Sequence, residues 1–496
     1  MADLDKQRIV ESVPQQGFLG HPKGLFTLFF TEFWERFSYY GMRAILVYYM
    51  YYEVSQGGLG MDKSTALAIM SIYGSLVYMS GIIGGWLADR IFGASKAVFY
   101  GGVLIMLGHI TLAIPGSISL FFVSMVLIVL GTGLLKPNVS SIVGQLYSEH
   151  DARRDAGFSI YYMGINLGAF IAPLIVGYVG DYNFHLGFSI AAVGIFLGLI
   201  IFVYTKKQNL GLAGTLVTSP ISPARRKKVF LLIGTGAVLL AVIVAITIPL
   251  GLLTFKTFIL LVGILGILIP TSYFIVMFRS PQTTSVERSR LIAYIPLFIA
   301  AIMFWAIQEQ GSTILASYAD KRTQLDFAGL HLKPAWFQSL NPLFIITLAP
   351  LFAWLWMKLG KRQPSIPKKF ALGILFAGLS FLVILLPAYF GGERSMVSPL
   401  WLVLSYFLVV LGELCLSPVG LSATTKLAPS AFSAQAMSLW FLSSAAAQAI
   451  NAQIVRFYSP DTEMIYFGVI GGSAILLSIL LYSFSPKIQG YMKGIQ

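Results

Sequence analysis

The sequence predicts an all-α polytopic membrane protein with fourteen transmembrane helices, on the strength of its composition, its apolar segments and the placement of its basic residues. Of the 496 residues, 57% are hydrophobic and 11% are charged, against roughly a quarter charged in soluble domains. The mean hydropathy is +0.79. A spanning helix needs about 20 largely apolar residues, and fourteen such stretches follow one another, separated by short polar or Pro/Gly-containing links. With the first residues placed inside, about 24 of the 34 Lys and Arg fall in cytoplasmic segments, about 7 outside and three within spans, as the positive-inside rule requires.

Residues 1–23 are polar, mixed in charge and without an apolar h-region, so they are expected to form an uncleaved cytoplasmic tail. Spans near 24–52, 65–88, 95–115, 118–143, 153–178 and 184–205 make an N-terminal six-helix bundle, 24–205. A basic linker and two additional helices, near 228–250 and 253–277, occupy 206–289; their interiors hold no ionisable residue apart from Lys256 at the outer turn, which suits a lipid-facing position. A second six-helix bundle, 290–485, is expected from spans near 290–319, 335–358, 369–390, 397–419, 432–456 and 464–485, followed by a cytoplasmic tail, 486–496. Six, two and six spans return both termini to the inner face of a plasma membrane.

The formal charge of +14 does not predict nucleic-acid binding, because its densest runs are topological. Lys206-Lys207, Arg225 to Lys228 and Lys358 through Lys369 all lie on the expected inner face, where anionic lipid attracts them. The single cysteine, Cys415, sits inside an apolar span and supplies neither a disulfide nor a metal cluster. No metal or cofactor is expected.

An ionised residue near the bilayer centre costs about 3 kcal/mol on insertion scales, so those that persist face a wet cavity and have partners. Seven stand out: Glu32, Glu35, Arg36 and Arg43 in the first span, Lys136 in the fourth, Glu309 in the first span of the second bundle and Glu413 in its fourth. Those are corresponding helices of the two halves, and a transporter built from related halves places its site near the midplane. At about 100° per residue, Glu32, Arg36, Tyr39 and Arg43 share one helix stripe. Arg43 and Lys136 belong to the first half, Glu309 and Glu413 to the second, so a cationic wall opposite an anionic one is expected. That arrangement suits a zwitterion, and carboxylates that move between desolvated and cation-paired surroundings suit proton coupling. Pro137 directly follows Lys136, and Pro418 lies shortly after Glu413, freeing backbone carbonyls near the charges.

The stretch Glu32-x-x-Glu35-Arg36-Phe37-x-Tyr39-Tyr40-Gly41 resembles the ExxER signature of the proton-coupled oligopeptide transporters. Phe158 to Phe170, FSIYYMGINLGAF, resembles that family's second signature, and Gly85-x-Leu87-Ala88-Asp89-Arg90 before Lys96 resembles the loop motif of the major facilitator superfamily. The resemblance implies a major facilitator fold of the bacterial type, with two helices between the bundles. It implies that Glu32, Glu35 and Arg36 form a proton-coupling cluster with Lys136 as exchanging partner, and that Glu309 responds to protons near the peptide's amino end. Arg43 would hold the peptide carboxylate, Glu413 would share the task of Glu309, and Tyr40, Tyr78, Lys136, Asn166, Trp305, Asn341 and Trp440 would line the pocket. The implied substrates are di- and tripeptides carried with protons by a monomer. Rival readings are another small substrate on the same fold, such as nitrate or a peptide-like compound, and an intramembrane enzyme. For the enzyme no nucleophile with base or metal cluster is found, the five histidines lying apart in sequence.

Overall fold

A computed structural model describes residues 2–148, 151–217, 220–391 and 396–495. The chain is almost wholly helical. A short helix α1 (Ala2–Ser12) precedes α2 (Gly24–Tyr51), α3 (Lys63–Leu87), α4 (Ala94–Ala113), α5 (Ile118–Gln145), α6 (Arg154–Tyr182) and α7 (Phe184–Asn209). Then come α8 (Pro223–Thr247) and α9 (Phe255–Arg279). The remainder is α10 (Ser285–Gln308), α11 (Ile314–Lys321), α12 (Leu340–Leu359), α13 (Ile366–Leu382), α14 (Leu385–Gly391), α15 (Leu400–Leu427), α16 (Ser433–Ile454) and α17 (Glu463–Tyr491). Two two-residue strands, β1 (Asp326–Phe327) and β2 (Leu330–His331), pair antiparallel in the link after α11.

Twelve helical segments among the described residues are long and apolar enough to cross a membrane. Helices α2 and α16 have spanning length but fall outside that set. Helix α2 carries Glu32, Glu35, Arg36 and Arg43, and α16 carries Gln448, Asn451 and several serines. Two of the spans expected to be single are broken. The first helix of the second half stops at Gln308, makes a 3₁₀ turn over Glu309–Ser312 and resumes as α11. The span expected near 369–390 is divided into α13 and α14.

Contacts gather the chain into two units, one made of Met1–Tyr39, Met79–Gly168 and Phe188–Val262, the other of Tyr40–Tyr78, Ala169–Gly187 and Gly263–Gln496. In the first, the N-terminal segment is folded rather than a bare polar tail: Ile9 and Val13, four residues apart on one face, are buried with Leu25, Leu146 and Leu210. Arg153 ties the same segment down, donating to the Gln15 carbonyl at 3.1 Å while pairing with Asp151 at 2.9 Å. Helix α8 begins with a Ser222 cap and Pro223 at its first turn, and buries none of its residues, so its apolar surface is left to lipid.

Close approach through glycine sets the packing of this unit. Pro137 cannot donate to the Gly133 carbonyl one turn earlier, and Gly84 of α3 lies against that carbonyl so closely that a Cβ there would come within 1.9 Å of it. Likewise a Cβ on Gly168 would come within 2.4 Å of the Phe33 carbonyl, which seats the FSIYYMGINLGAF stretch of α6 directly on the acidic part of α2.

In the second unit a Thr284–Glu287 capping box starts α10. The later part of α9 lies along α16, where a Cβ on Gly266 would meet Ala449 at 2.4 Å. The C-terminal turns of α2 are bound by α11: Tyr48 donates to the Ala316 carbonyl, and Tyr51 and Tyr52 donate to the two oxygens of Asp320 at 2.7 and 2.6 Å.

Replacing Gly84 by Val should lower the thermal unfolding midpoint of the detergent-purified protein by several degrees, because overpacking against backbone costs about 1–3 kcal/mol. Gly472→Ala, at an exposed helical glycine with nothing within 4 Å, should leave the midpoint unchanged or raise it slightly. Thermal scans of intrinsic tryptophan fluorescence on both variants check this.

Candidate functional site

The first unit holds a buried charge cluster on α2. Glu32, Glu35 and Arg36 are each 2% exposed or less. The Arg36 guanidinium lies 3.0 Å from Glu32 one turn away and pairs with its neighbour Glu35. Glu35 is held to Arg36 as a buried ion pair. Arg36 also stacks on the Tyr39 ring at 5.4 Å. Tyr161, buried on α6, bonds to Glu32, and Lys136 of α5 is near enough to Glu35 to act on its charge. Two acids and two bases are thus collected in this unit. Asn166, also in this unit, spends its amide on the Tyr162 carbonyl of its own helix at 2.9 Å.

The second unit holds the other cluster, centred on Glu309. Because α10 ends at Gln308, this carboxylate sits on the 3₁₀ turn and is 5% exposed. Three helices send donors to it. Arg43 of α2 pairs with one oxygen and also donates to Ser312 at 2.9 Å. Tyr78 of α3 donates to the other oxygen at 2.8 Å, and Gln448 of α16 donates to the oxygen shared with Arg43, also at 2.8 Å. Tyr406 of α15 holds the turn itself by donating to the Gly311 carbonyl at 3.1 Å. Next along the turn, Gln310 donates to Asn451 of α16 at 3.2 Å and accepts from Tyr466 of α17 at 2.7 Å.

Other expected pocket residues lie in the same unit. Asn341 at the start of α12 donates to Glu413 at 3.2 Å, and Glu413 is 9% exposed. The rings of Trp305 and Trp440 meet edge to face with centroids 6.3 Å apart. Trp440 covers Gly420, where a Cβ would come within 2.1 Å of its ring. Tyr40 is half-buried on α2, three residues before Arg43.

Ser312, Gln448 and Asn451 carry no sequence signal, being neutral groups inside otherwise apolar stretches. It also passed over a buried ion pair in the second unit, Arg322 to Glu463 at 3.2 Å, with Tyr458 donating to Glu463 at 3.0 Å. Their i-to-j separation of 141 residues hides such a pair from any local pattern.

Comparison with known proteins places this geometry. The POT family model matches residues 95–470. Over its full length the chain is 64% identical to the uncharacterized transporter YclF of Bacillus subtilis (strain 168), covering 100% of both. It is 48% identical to a di-/tripeptide transporter of Lactococcus lactis subsp. cremoris, over 97% of this chain and 99% of that one. The crystal structure of a peptide transporter, POT, in complex with sulfate superposes with a TM-score of 0.97 at 74% identity, covering 99% of this chain and 100% of that one. The fold is therefore of the major facilitator type that the sequence predicts.

The two kinds of ion pair in the second unit should differ in what they contribute to stability. Glu463→Gln takes the opposite charge from a buried guanidinium and should cost about 3–5 kcal/mol. Asp181→Asn removes the partner of Lys333, a pair at 2.5 Å whose Asp side chain is 40% exposed, and should cost no more than about 1 kcal/mol. Unfolding midpoints in detergent should fall clearly for the first and barely for the second.

Proposed function

We propose that this chain, which belongs to the POT family, is a proton-coupled symporter that imports di- and tripeptides across the cell membrane by alternating access. It is a multi-pass membrane transporter, and we place both termini in the cytoplasm and take the monomer, embedded in lipid, as the working unit. The observation that carries the proposal is the buried contact of Arg43 with Glu309. A carboxylate already occupies the guanidinium, and a peptide's C-terminus brings the same chemical group.

The coupling follows from that competition. While Glu309 is ionised it holds Arg43. A proton arriving on Glu309 removes the charge that binds the guanidinium, and Arg43 is released to take the peptide carboxylate. The acidic side chains Glu309 and Glu413 would then lie near the peptide's amino end. Tyr40, Tyr78, Asn341, Trp305 and Trp440 would give hydrogen bonds to its backbone and apolar contact to its side chains. Loss of the proton towards the cytoplasm restores the Glu309 carboxylate, which displaces the peptide from Arg43.

In the first unit Glu32, Glu35 and Arg36 would form a second proton-responsive set. Protonating one of its acids leaves Arg36 with less opposing charge, and Lys136 would take up the pairing that is exchanged. A site that grips the backbone and termini and fills side-chain space loosely would accept many sequences.

Uptake of labelled dialanine into proteoliposomes should rise severalfold when an inward proton gradient is imposed; uptake indifferent to the gradient would remove proton coupling. Arg43→Ala should weaken substrate affinity by tenfold or more while expression persists, since it deletes a charged hydrogen-bond donor. Glu32→Gln and Glu35→Gln should abolish gradient-driven uptake yet keep counterflow exchange. Loss of counterflow as well would move both residues from coupling to binding.

A further inference from the structure

Gln448 stands out among the partners of Glu309 because half of its amide is unused. Its Nε2 donates to the carboxylate, whereas its Oε1 is buried and has no hydrogen-bond partner among the described residues. The residue itself is 1% exposed. A buried acceptor left unmatched carries a desolvation penalty, so its presence beside an acid calls for a state in which it is matched. We propose that Gln448 is a two-state partner of Glu309, donating through Nε2 to the carboxylate and, after rotating its amide, accepting through Oε1 from the protonated acid.

The chemistry follows from the donor and acceptor inventory. An ionised carboxylate only accepts, while a protonated one also carries an O–H that must be given to an acceptor. Among the other neighbours of Glu309, the hydroxyls of Tyr78 and Ser312 also carry acceptor lone pairs, but each is already bonded. Arg43 has no acceptor atom. Tyr78 donates to Glu309, and Tyr406 donates to the Gly311 carbonyl. Ser312, which already receives a bond from Arg43, donates to the Glu309 carbonyl at 3.2 Å. Glu413 is the other titratable group whose charge acts on this region, and it accepts from Asn341. An amide can present a donor or an acceptor at the same place, because half a turn about its terminal bond exchanges the two.

Helix α3 makes room for that amide at Gly74. A Cβ on Gly74 would come within 2.5 Å of Nε2 and 2.9 Å of the amide carbon of Gln448. One turn further along the same helix, Tyr78 bonds the opposite carboxylate oxygen. Helix α3 thus offers a hydroxyl to one side of Glu309 and an absent side chain to the amide that serves the other. Gln448 is in this sense a positioning residue for the proton step, and the inference rests on the reading of Glu309 as a coupling acid.

The test is dialanine counterflow in proteoliposomes with equal pH on both sides, scanned across pH and normalised to each variant's own maximum. Wild type should show a midpoint below which exchange rises as Glu309 gains its proton. Gln448→Met keeps the volume and removes both hydrogen bonds. The bond to the carboxylate is the stronger of the two, since a charged acceptor roughly doubles it, so the midpoint should move up by about half to one pH unit. Gln448→Glu should move it up further, two carboxyl groups then sharing one site, and Gly74→Ala should move it in the same direction by crowding the amide. Superimposable profiles for wild type, Gln448→Glu and Gln448→Met would overturn the inference and leave proton coupling intact. A flat wild-type profile would overturn the coupling reading of Glu309 and this inference with it.

Discussion

A carboxylate placed inside a helix that crosses a membrane has to be matched, and the second unit is organised around matching Glu309. Its burial would cost several kcal/mol if the charge stood alone, so donors arrive from α2, α3 and α16 together. Supplying them dictates the local architecture. Helix α10 gives way to a 3₁₀ turn that turns the acid inward, Tyr406 holds that turn by its Gly311 carbonyl, and α16 gives up apolar character for a polar stripe. Even the absence of a side chain at Gly74 belongs to this requirement, since the amide of Gln448 fills the place where a Cβ would be.

Such an ion pair is not an economical way to hold helices together, because apolar residues of the same volume often do as well or better. Its value is that it can be undone by one proton. The pair of Arg322 with Glu463 is buried to a similar degree and is braced by Tyr458, which suits a permanent tie. The α2 cluster of the first unit has the opposite character. One guanidinium is divided between two acids, and Lys136 acts on Glu35 from another helix. Glycine contacts such as Gly168 on Phe33 set how closely the helices that carry these groups approach.

Much of this was legible in the sequence, for reasons that differ by element. Long apolar runs announce spanning helices because nothing else satisfies a backbone in lipid, and charges inside such runs announce a site because they are expensive. That logic singles out Glu32, Glu35, Arg36, Arg43, Glu309 and Glu413, all of which are buried. It did not find the break at Glu309, since Gln310 and Gly311 are too mild a signal to interrupt a helix by themselves and the tertiary bonds to Tyr406, Asn451 and Tyr466 decide it. Gln448 and Ser312 were invisible because an uncharged polar residue in a span is common and usually bonds its own helix. The mean polarity of the N-terminal helix hides its docking; the spacing of Ile9 and Val13, both buried, is the signal that an amphipathic segment packs there.

The claim on which the rest stands is that one proton on Glu309 frees Arg43 for substrate. A pH-sensitive dye trapped inside proteoliposomes measures it most directly, by following proton entry when dialanine is added outside in the absence of any imposed gradient. Acidification should accompany the peptide in the wild-type protein and vanish in Glu309→Gln, while the same variant still exchanges labelled for unlabelled dialanine. Undiminished acidification in Glu309→Gln, or none in the wild type despite peptide entry, would contradict it.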